Sequence, residues 1–368
     1  MDFTILGVGT ALPPNCMKQE EASELAQQVC CSSQEQARTL NVLYRRSGVK
    51  TRYTVFPHQA ILGYCQIDEH DKVEDGEGGV ATLAPTSLTT EQRMRMYEEH
   101  AFPLALRAAQ AALHDAQTPA DAITHLVTVS CTGFAAPGVD IALIGRLGLP
   151  PTVERVHVGF MGCHGAINGL RVARGLMASD PSARVLLCAV ELCSIHFQVQ
   201  WDPRRFVGNA IFGDGAGALV GGGTNEKRSW QTAATASCLL ADSTDAMSWA
   251  IRDHGFQMEL SPRVPDLIKQ RLRGWFEPWL ARQGFGLADV GSWAVHPGGP
   301  RILSAVEEAL GLGPQALGVS REVLSQCGNM SSPTVLFILE RLRRQTAPRP
   351  CVMLGFGPGL AAEAALLV

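Results

Sequence analysis

The chain has 368 residues, too many for one ordinary core of roughly 100–150, so two domains or two fused halves are expected. Hydrophobic residues make up 46% and charged residues 18%, against about 25% charged in an average soluble protein. That balance excludes a disordered chain and points to a large interior. A net charge of −4 leaves no basic field for nucleic acid, and 11 scattered cysteines do not make the dense framework of a small secreted domain.

Met1 to Gly7 starts acidic, lacks a basic leader region and soon reaches Pro13-Pro14, so it reads as a first strand and not as a signal peptide. No run of roughly 18 or more apolar residues occurs, and no membrane span is expected. Reduced thiols and a cytoplasmic location are the matching expectation. Neither CxxC nor HxxxH spacing occurs, and Cys188 and Cys193 lack zinc-like spacing, so no metal site is expected. Residues 66–92 are acidic and Gly-rich (Asp68-Glu69-His70-Asp71, then Glu74 to Gly79). They read as an exposed loop leading into a helix over Glu91–Ala116.

Beyond that helix, short apolar runs alternate with helical patterns. Ile123–Ser130, Val153–Gly159 and Ala183–Val190 read as buried strands, with helical periodicity over Ile141–Leu149 and His164–Ala178. The same order returns later. Ser292–His296 reads as a strand, Arg301–Leu312 as a helix, Val319–Gln326 as a strand, Ser331–Arg344 as a helix and Pro350–Gly355 as a strand. Four landmarks recur in order at nearly constant spacing. Pro137-Gly138 answers Pro297-Gly298, Leu147-Gly148-Leu149 answers Leu310-Gly311-Leu312, Gly162-Cys163 answers Gly328-Asn329, and Val185-Leu186-Leu187 answers Val352-Met353-Leu354. A duplicated α/β unit explains this better than coincidence.

Three polar residues occupy equivalent ends of that unit. Cys163 sits where a strand ends and a long helix begins, where unpaired N–H groups and the helix dipole favour a thiolate and predict a pKa below about 8.5. His296 follows an apolar strand and opens His296-Pro297-Gly298-Gly299-Pro300. Asn329 is the counterpart of Cys163. Together they form a plausible thiolate–imidazolium pair with a second hydrogen-bond donor. On residue types alone, a structural cysteine, a turn histidine and a helix-cap asparagine remain equal alternatives.

Read together, several long motifs stand in order: Pro137-Gly138-Val139-Asp140, Gly162-Cys163, Phe212-Gly213-Asp214-Gly215-Ala216, His296-Pro297-Gly298-Gly299, Gly328-Asn329-Met330-Ser331-Ser332 and Gly355-Phe356-Gly357-Pro358-Gly359. In these the sequence resembles the type III polyketide synthases, the chalcone synthase-like members of the thiolase superfamily. The resemblance covers nearly the whole chain, is weakest over about residues 59–92, and looks bacterial around Glu191-Leu192-Cys193-Ser194. It implies a thiolase-like αβαβα layered fold from two duplicated halves, residues 1–223 carrying Cys163 and 224–368 carrying His296 and Asn329.

It further implies iterative decarboxylative condensation. Cys163 takes a starter from an acyl-CoA, and malonyl-CoA loses CO2. His296 and Asn329 then stabilise the enolate oxyanion, by a few kcal/mol each on oxyanion-hole precedent. No cofactor is implied beyond the CoA thioesters that serve as substrates. Phe212 matches an aromatic gatekeeper between CoA tunnel and cavity, and Met258 stands where plant enzymes carry a second one. Trp249 replaces a small cavity glycine, Cys131, Cys193 and His196 replace cavity threonines, and Ser331 keeps the family serine. Arg45, Arg46, Lys50 and Arg52 are candidates for CoA phosphates, though a solvated face explains them equally well.

These departures favour an aliphatic starter and a pyrone, resorcinol or phloroglucinol-type product. A homodimer is implied too, with Ala136 where plant relatives extend a methionine into the partner's cavity. A single-condensation ketoacyl-CoA synthase and a catalytically silent acyl-CoA-binding scaffold are the alternatives.

Overall fold

The structure is a computed structural model that describes residues 3–57, 73–74, 80–81, 88–202, 205–223 and 230–368. The N-terminal region contributes strands β1 (Phe3–Ala11), β2 (Asn15–Lys18) and β3 (Thr51–Thr54), with helices α1 (Gln19–Cys30) and α2 (Gln34–Arg46). Most of the expected 66–92 loop lies outside the described residues. Within it only the two-residue pair β4 (Val73–Glu74) and β5 (Val80–Ala81) is described before α3 (Thr90–Asp115) begins.

The first α/β unit continues with β6 (His125–Ser130), α4 (Val139–Leu147), β7 (Glu154–Gly159), α5 (Gly165–Ser179), β8 (Arg184–Leu192), α6 (Phe206–Ile211) and β9 (Asp214–Gly222). The second has β10 (Trp230–Leu239), the hairpin β11 (Met247–Arg252) and β12 (Gly255–Leu260), α7 (Val264–Arg282), β13 (Ser292–Val295), α8 (Pro300–Leu310), α9 (Gly318–Cys327), α10 (Thr334–Arg344), β14 (Cys351–Gly357) and β15 (Ala361–Leu367). No helix among the described residues is long and apolar enough to cross a membrane.

Nine strands join in the order β13-β14-β15-β10-β1-β9-β8-β6-β7. The two limbs meet where Phe3, Thr4 and Ile5 of β1 pair with Thr232, Gln231 and Trp230 of β10. On each side the strands run parallel at the far end and antiparallel toward the junction: β7, β6 and β8 before β9 and β1, and β13 and β14 before β15 and β10.

Apolar residues stand on both faces of these strands because each limb is covered twice. Val185, Leu187 and Ala189 of β8 face a central core with Ile167 and Leu170 of α5 and Leu336 and Leu339 of α10. The alternate residues Leu186, Cys188 and Val190 face α3 and α4. In β14, Cys351 and Met353 face the central core while Val352, Leu354 and Phe356 face α7 and α8. The layers are therefore α3/α4, first limb, α5/α10, second limb, α7/α8, a thiolase-like αβαβα fold from two duplicated halves.

The repeat extends to backbone conformation. Gly148 and Gly311 end α4 and α8 at φ 71° and 68°, and Gly162 and Gly328 precede Cys163 and Asn329 at φ 77° and 73°. Left-handed φ of this kind suits glycine, so each polar residue follows a glycine at a position where a side chain would be strained, although Cys163 then enters a 3₁₀ turn and Asn329 a β-bridge. Three expectations are corrected, the first being burial of Val153–Gly159: it is a strand, β7, but one exposed at the edge of the sheet. Val319–Gln326 is not a strand but most of α9, whose buried Ser320, Val323, Leu324 and Cys327 fall on one helical face. The expected helix from Ser331 starts only at Thr334, because Ser331 itself takes φ 57°.

Candidate active site

Cys163 lies in the single 3₁₀ turn Gly162–His164 between β7 and α5. Gly162 packs against Pro358 from the other half, where an added Cβ would fall 2.6 Å from Pro358 Cδ. The Ser331 hydroxyl, which also meets Cys131 Sγ at 3.4 Å, and the Asn329 side-chain amide act on the Cys163 thiol to hold its pKa down. Burial outweighs them, with the Glu191 carboxylate adding to it, and the thiol is pushed up to about 11. The depressed pKa expected from the helix start does not survive: dipole and donors are local, while desolvation comes from the whole wall of the cavity.

Asn329 does not cap α10. Its Oδ1 accepts the Ser331 N–H at 2.7 Å, which leaves the amide Nδ2 to donate to the thiol. Its backbone is fixed by donating to Ile211 O at 2.8 Å and accepting from Gly213 N at 3.0 Å, so it forms a one-residue parallel bridge with Phe212. His296 follows β13 and donates its backbone N–H to Leu354 O at 2.8 Å. Its ring is buried beside His164, the residue after Cys163, and neither ring nitrogen has a hydrogen-bond partner among the described residues. Burial first, and His164 second, press its pKa down to about 3.

The thiol opens onto a chamber of about 40 Å³ that Cys131, Cys193, Phe212, Trp249, Met258 and Ser331 also line. Cys193, Phe212, Trp249 and Met258 form the wall shared with a second chamber of about 60 Å³, whose other lining includes Met17, Leu25 and Phe197. His196 lines only this second chamber. There it is spent on structure: Nε2–H donates to Thr132 O at 2.7 Å, Nδ1 accepts from Phe256 N at 3.0 Å, and the ring stacks on Phe256 at 4.3 Å.

Trp249 stands opposite Met258 in the β11–β12 register and donates its indole N–H to Cys131 O at 2.8 Å. Behind the wall is a residue that the sequence reading passed over. Glu191, buried near the end of β8, accepts from Cys131 N, from Thr132 Oγ1 at 2.7 Å and from Ser332 Oγ at 2.6 Å. Burial raises its pKa. The signal for it was a lone acid in the apolar run Val185–Leu192.

The four basic candidates separate. Arg45 and Lys50 are exposed and line a groove of about 660 Å³ with Lys18, bordered by Tyr44, which also borders the second chamber. Arg46 is exposed outside that groove. Arg52 is a correction. It is buried, and its guanidinium donates to Asn209 O at 2.6 Å, Ala210 O at 2.6 Å, Phe212 O at 3.0 Å and Gln19 Oε1, so it is not presented to a CoA phosphate.

Comparison with known proteins covers the whole molecule. The profile of the N-terminal domain of chalcone and stilbene synthases matches residues 2–224, and that of their C-terminal domain matches residues 231–368. The chain is 33% identical to a 1,3,6,8-tetrahydroxynaphthalene synthase of Streptomyces peucetius subsp. caesius, over 99% of this chain and 92% of that protein. It is 30% identical to the alpha-pyrone synthesis polyketide synthase-like Pks18 of Mycobacterium tuberculosis, over 98% of this chain and 90% of that one. Among solved structures, PKS-I from the brown alga Ectocarpus siliculosus superposes with a TM-score of 0.89 at 29% identity, covering 100% of this chain and 98% of that chain.

Proposed function

The chain belongs to the chalcone and stilbene synthase family and is a type III polyketide synthase, an acyltransferase that uses malonyl-CoA; from that premise we propose how its own residues divide the work. Cys163 sulfur attacks the carbonyl of an acyl-CoA, its proton passes to His296, and the departing CoA thiolate takes that proton. In malonyl-CoA the bond to the carboxylate then breaks, CO2 leaves, and the electron pair moves into a thioester enolate. Its oxygen accepts from the His296 ring N–H and the Asn329 amide N–H, and its carbon attacks the acyl-Cys163 carbonyl, expelling the thiolate. No nicotinamide, metal or carrier protein enters this scheme.

The observation that carries the reading is the orientation of the donors. The Ser331 N–H fixes the Asn329 amide with its donor end toward the thiol, and the buried His296 nitrogens are left without another partner among the described residues. The CoA enters past Lys18, Arg45 and Lys50 and along the chamber beside Phe212 and Met258. The starter is aliphatic, since Met17, Leu25, Phe197 and Met258 make the second chamber largely apolar, and cyclisation gives a pyrone, resorcinol or phloroglucinol-type product.

Mass spectrometry of products from malonyl-CoA with a panel of acyl-CoA starters tests this, with Cys163→Ala as the blank. Extension by the blank would refute the nucleophile. A second reading has its own support. Trp249, its indole N–H tied to Cys131 O, stands in the wall of the chamber beside the thiol and takes up room a growing chain would need, which favours a single condensation over iteration. Products that gain only one two-carbon unit from every starter would decide for it.

The same reading places the seam between halves at 223/224, the enzyme in the cytoplasm and its dimer contact at the β7 edge. There Val156 of β7, and Phe134, Ile141 and Met161 from the segments flanking β6 and β7, are exposed apolar side chains.

A further inference from the structure

A buried arginine in place of a surface one calls for a role inside the molecule. Arg52 lies in β3 beneath the joint where the end of α6 meets the loop before α10, its Cβ 3.5 and 3.6 Å from where Gly213 and Gly328 would carry theirs. The last carbonyls of a helix have no partner within it. In α6 the planar guanidinium serves them, taking Asn209 O, Ala210 O and the carbonyl of Phe212 just beyond the helix. Gln19 braces the fork through its Oε1, and its own amide donates to Ala210 O and Ser47 Oγ at 2.8 Å each. The Tyr44 ring lies 5.6 Å below the guanidinium. Across the joint the backbone of Asn329 is tied to this turn: its N–H goes to Ile211 O and its carbonyl takes the Gly213 N–H.

We propose that Arg52 is a positioning residue that, by fixing the Ile211-Phe212-Gly213 turn, holds the Asn329 amide where the malonyl thioester oxygen gains its charge. The proposal rests on the functional reading above. It predicts that charge at this position is not enough. A lysine supplies one nitrogen and cannot reach three carbonyls and an amide oxygen in one plane.

The test is steady-state CO2 release from malonyl-CoA by wild type, Arg52→Lys, Gln19→Leu and Lys50→Ala, with rates expressed per site titrated at Cys163 by iodoacetamide. Arg52→Lys is expected to lose about tenfold or more in kcat, with KM for malonyl-CoA changed by less than about twofold. Gln19→Leu, which keeps the arginine and disturbs only its brace, is expected to move the same way by less. It decides the matter if the lysine variant does not fold. Lys50→Ala is expected to raise KM alone. An Arg52→Lys enzyme with unchanged kcat per titrated site would overturn the proposal, and so would one whose KM rises at constant kcat, because that is the signature of a phosphate contact. A folded wild type that releases no CO2 would instead sink the functional reading beneath it.

Discussion

Cys163 and His296 are driven in opposite directions by one cause, since burial disfavours a thiolate and an imidazolium alike. Burial thus favours a neutral Cys163 thiol and a neutral His296 ring, and in the proposed mechanism charge appears only as the sulfur attacks. With the thiol near 11, alkylation of Cys163 by iodoacetamide is predicted to keep climbing from about pH 7 to about pH 10. Peptide mass spectrometry separates Cys163 from the other cysteines, and a rate that levels off below about pH 7 would contradict this account. Cys163 was legible as the proposed nucleophile because Gly162-Cys163 precedes an apolar helix and has a counterpart in Gly328-Asn329. Its ionisation was not, because Cys131, Phe212 and Trp249, which wall it in, are far apart along the chain.

At the scale of elements, the β11–β12 hairpin sets the size of the site. Pairing Trp249 with Met258 sets both into the lining that Phe212 shares, and the indole's bond to Cys131 O holds the wall between the two chambers. Trp249→Ala is predicted to join them and shift products toward longer chains or bulkier starters, read by product mass. An unchanged product spectrum would show that the wall does not limit growth. Periodicity located β6, β7, β8, β13 and β14 and the helices α3, α4, α5, α8 and α10 to within a few residues, but it did not single out α1, α2, α6, α7 or the β11–β12 hairpin. It failed at α9, where Ser320, Val323, Leu324 and Cys327 stand at helical spacing that the strand reading overlooked. It failed at Arg52 for a different reason: the carbonyls that bury that side chain lie at the end of α6, remote in sequence from β3.

At the scale of the molecule, two limbs of one sheet clasp α5 and α10, and the repeat delivers Cys163 from one half and Asn329 and His296 from the other. The open β7 edge, with Val156 exposed between Arg155 and His157, is predicted to be the dimer contact. Sedimentation equilibrium is expected to give a dimer that Val156→Lys weakens, and a monomeric wild type would remove this part of the account. The most direct test of the central claim is release of labelled CO2 from carboxyl-labelled malonyl-CoA by the purified chain. The account predicts release by wild type and a loss of about a hundredfold to a thousandfold in Asn329→Ala, with a comparable loss in His296→Ala. No release by folded wild type, or undiminished release by both variants, would contradict it.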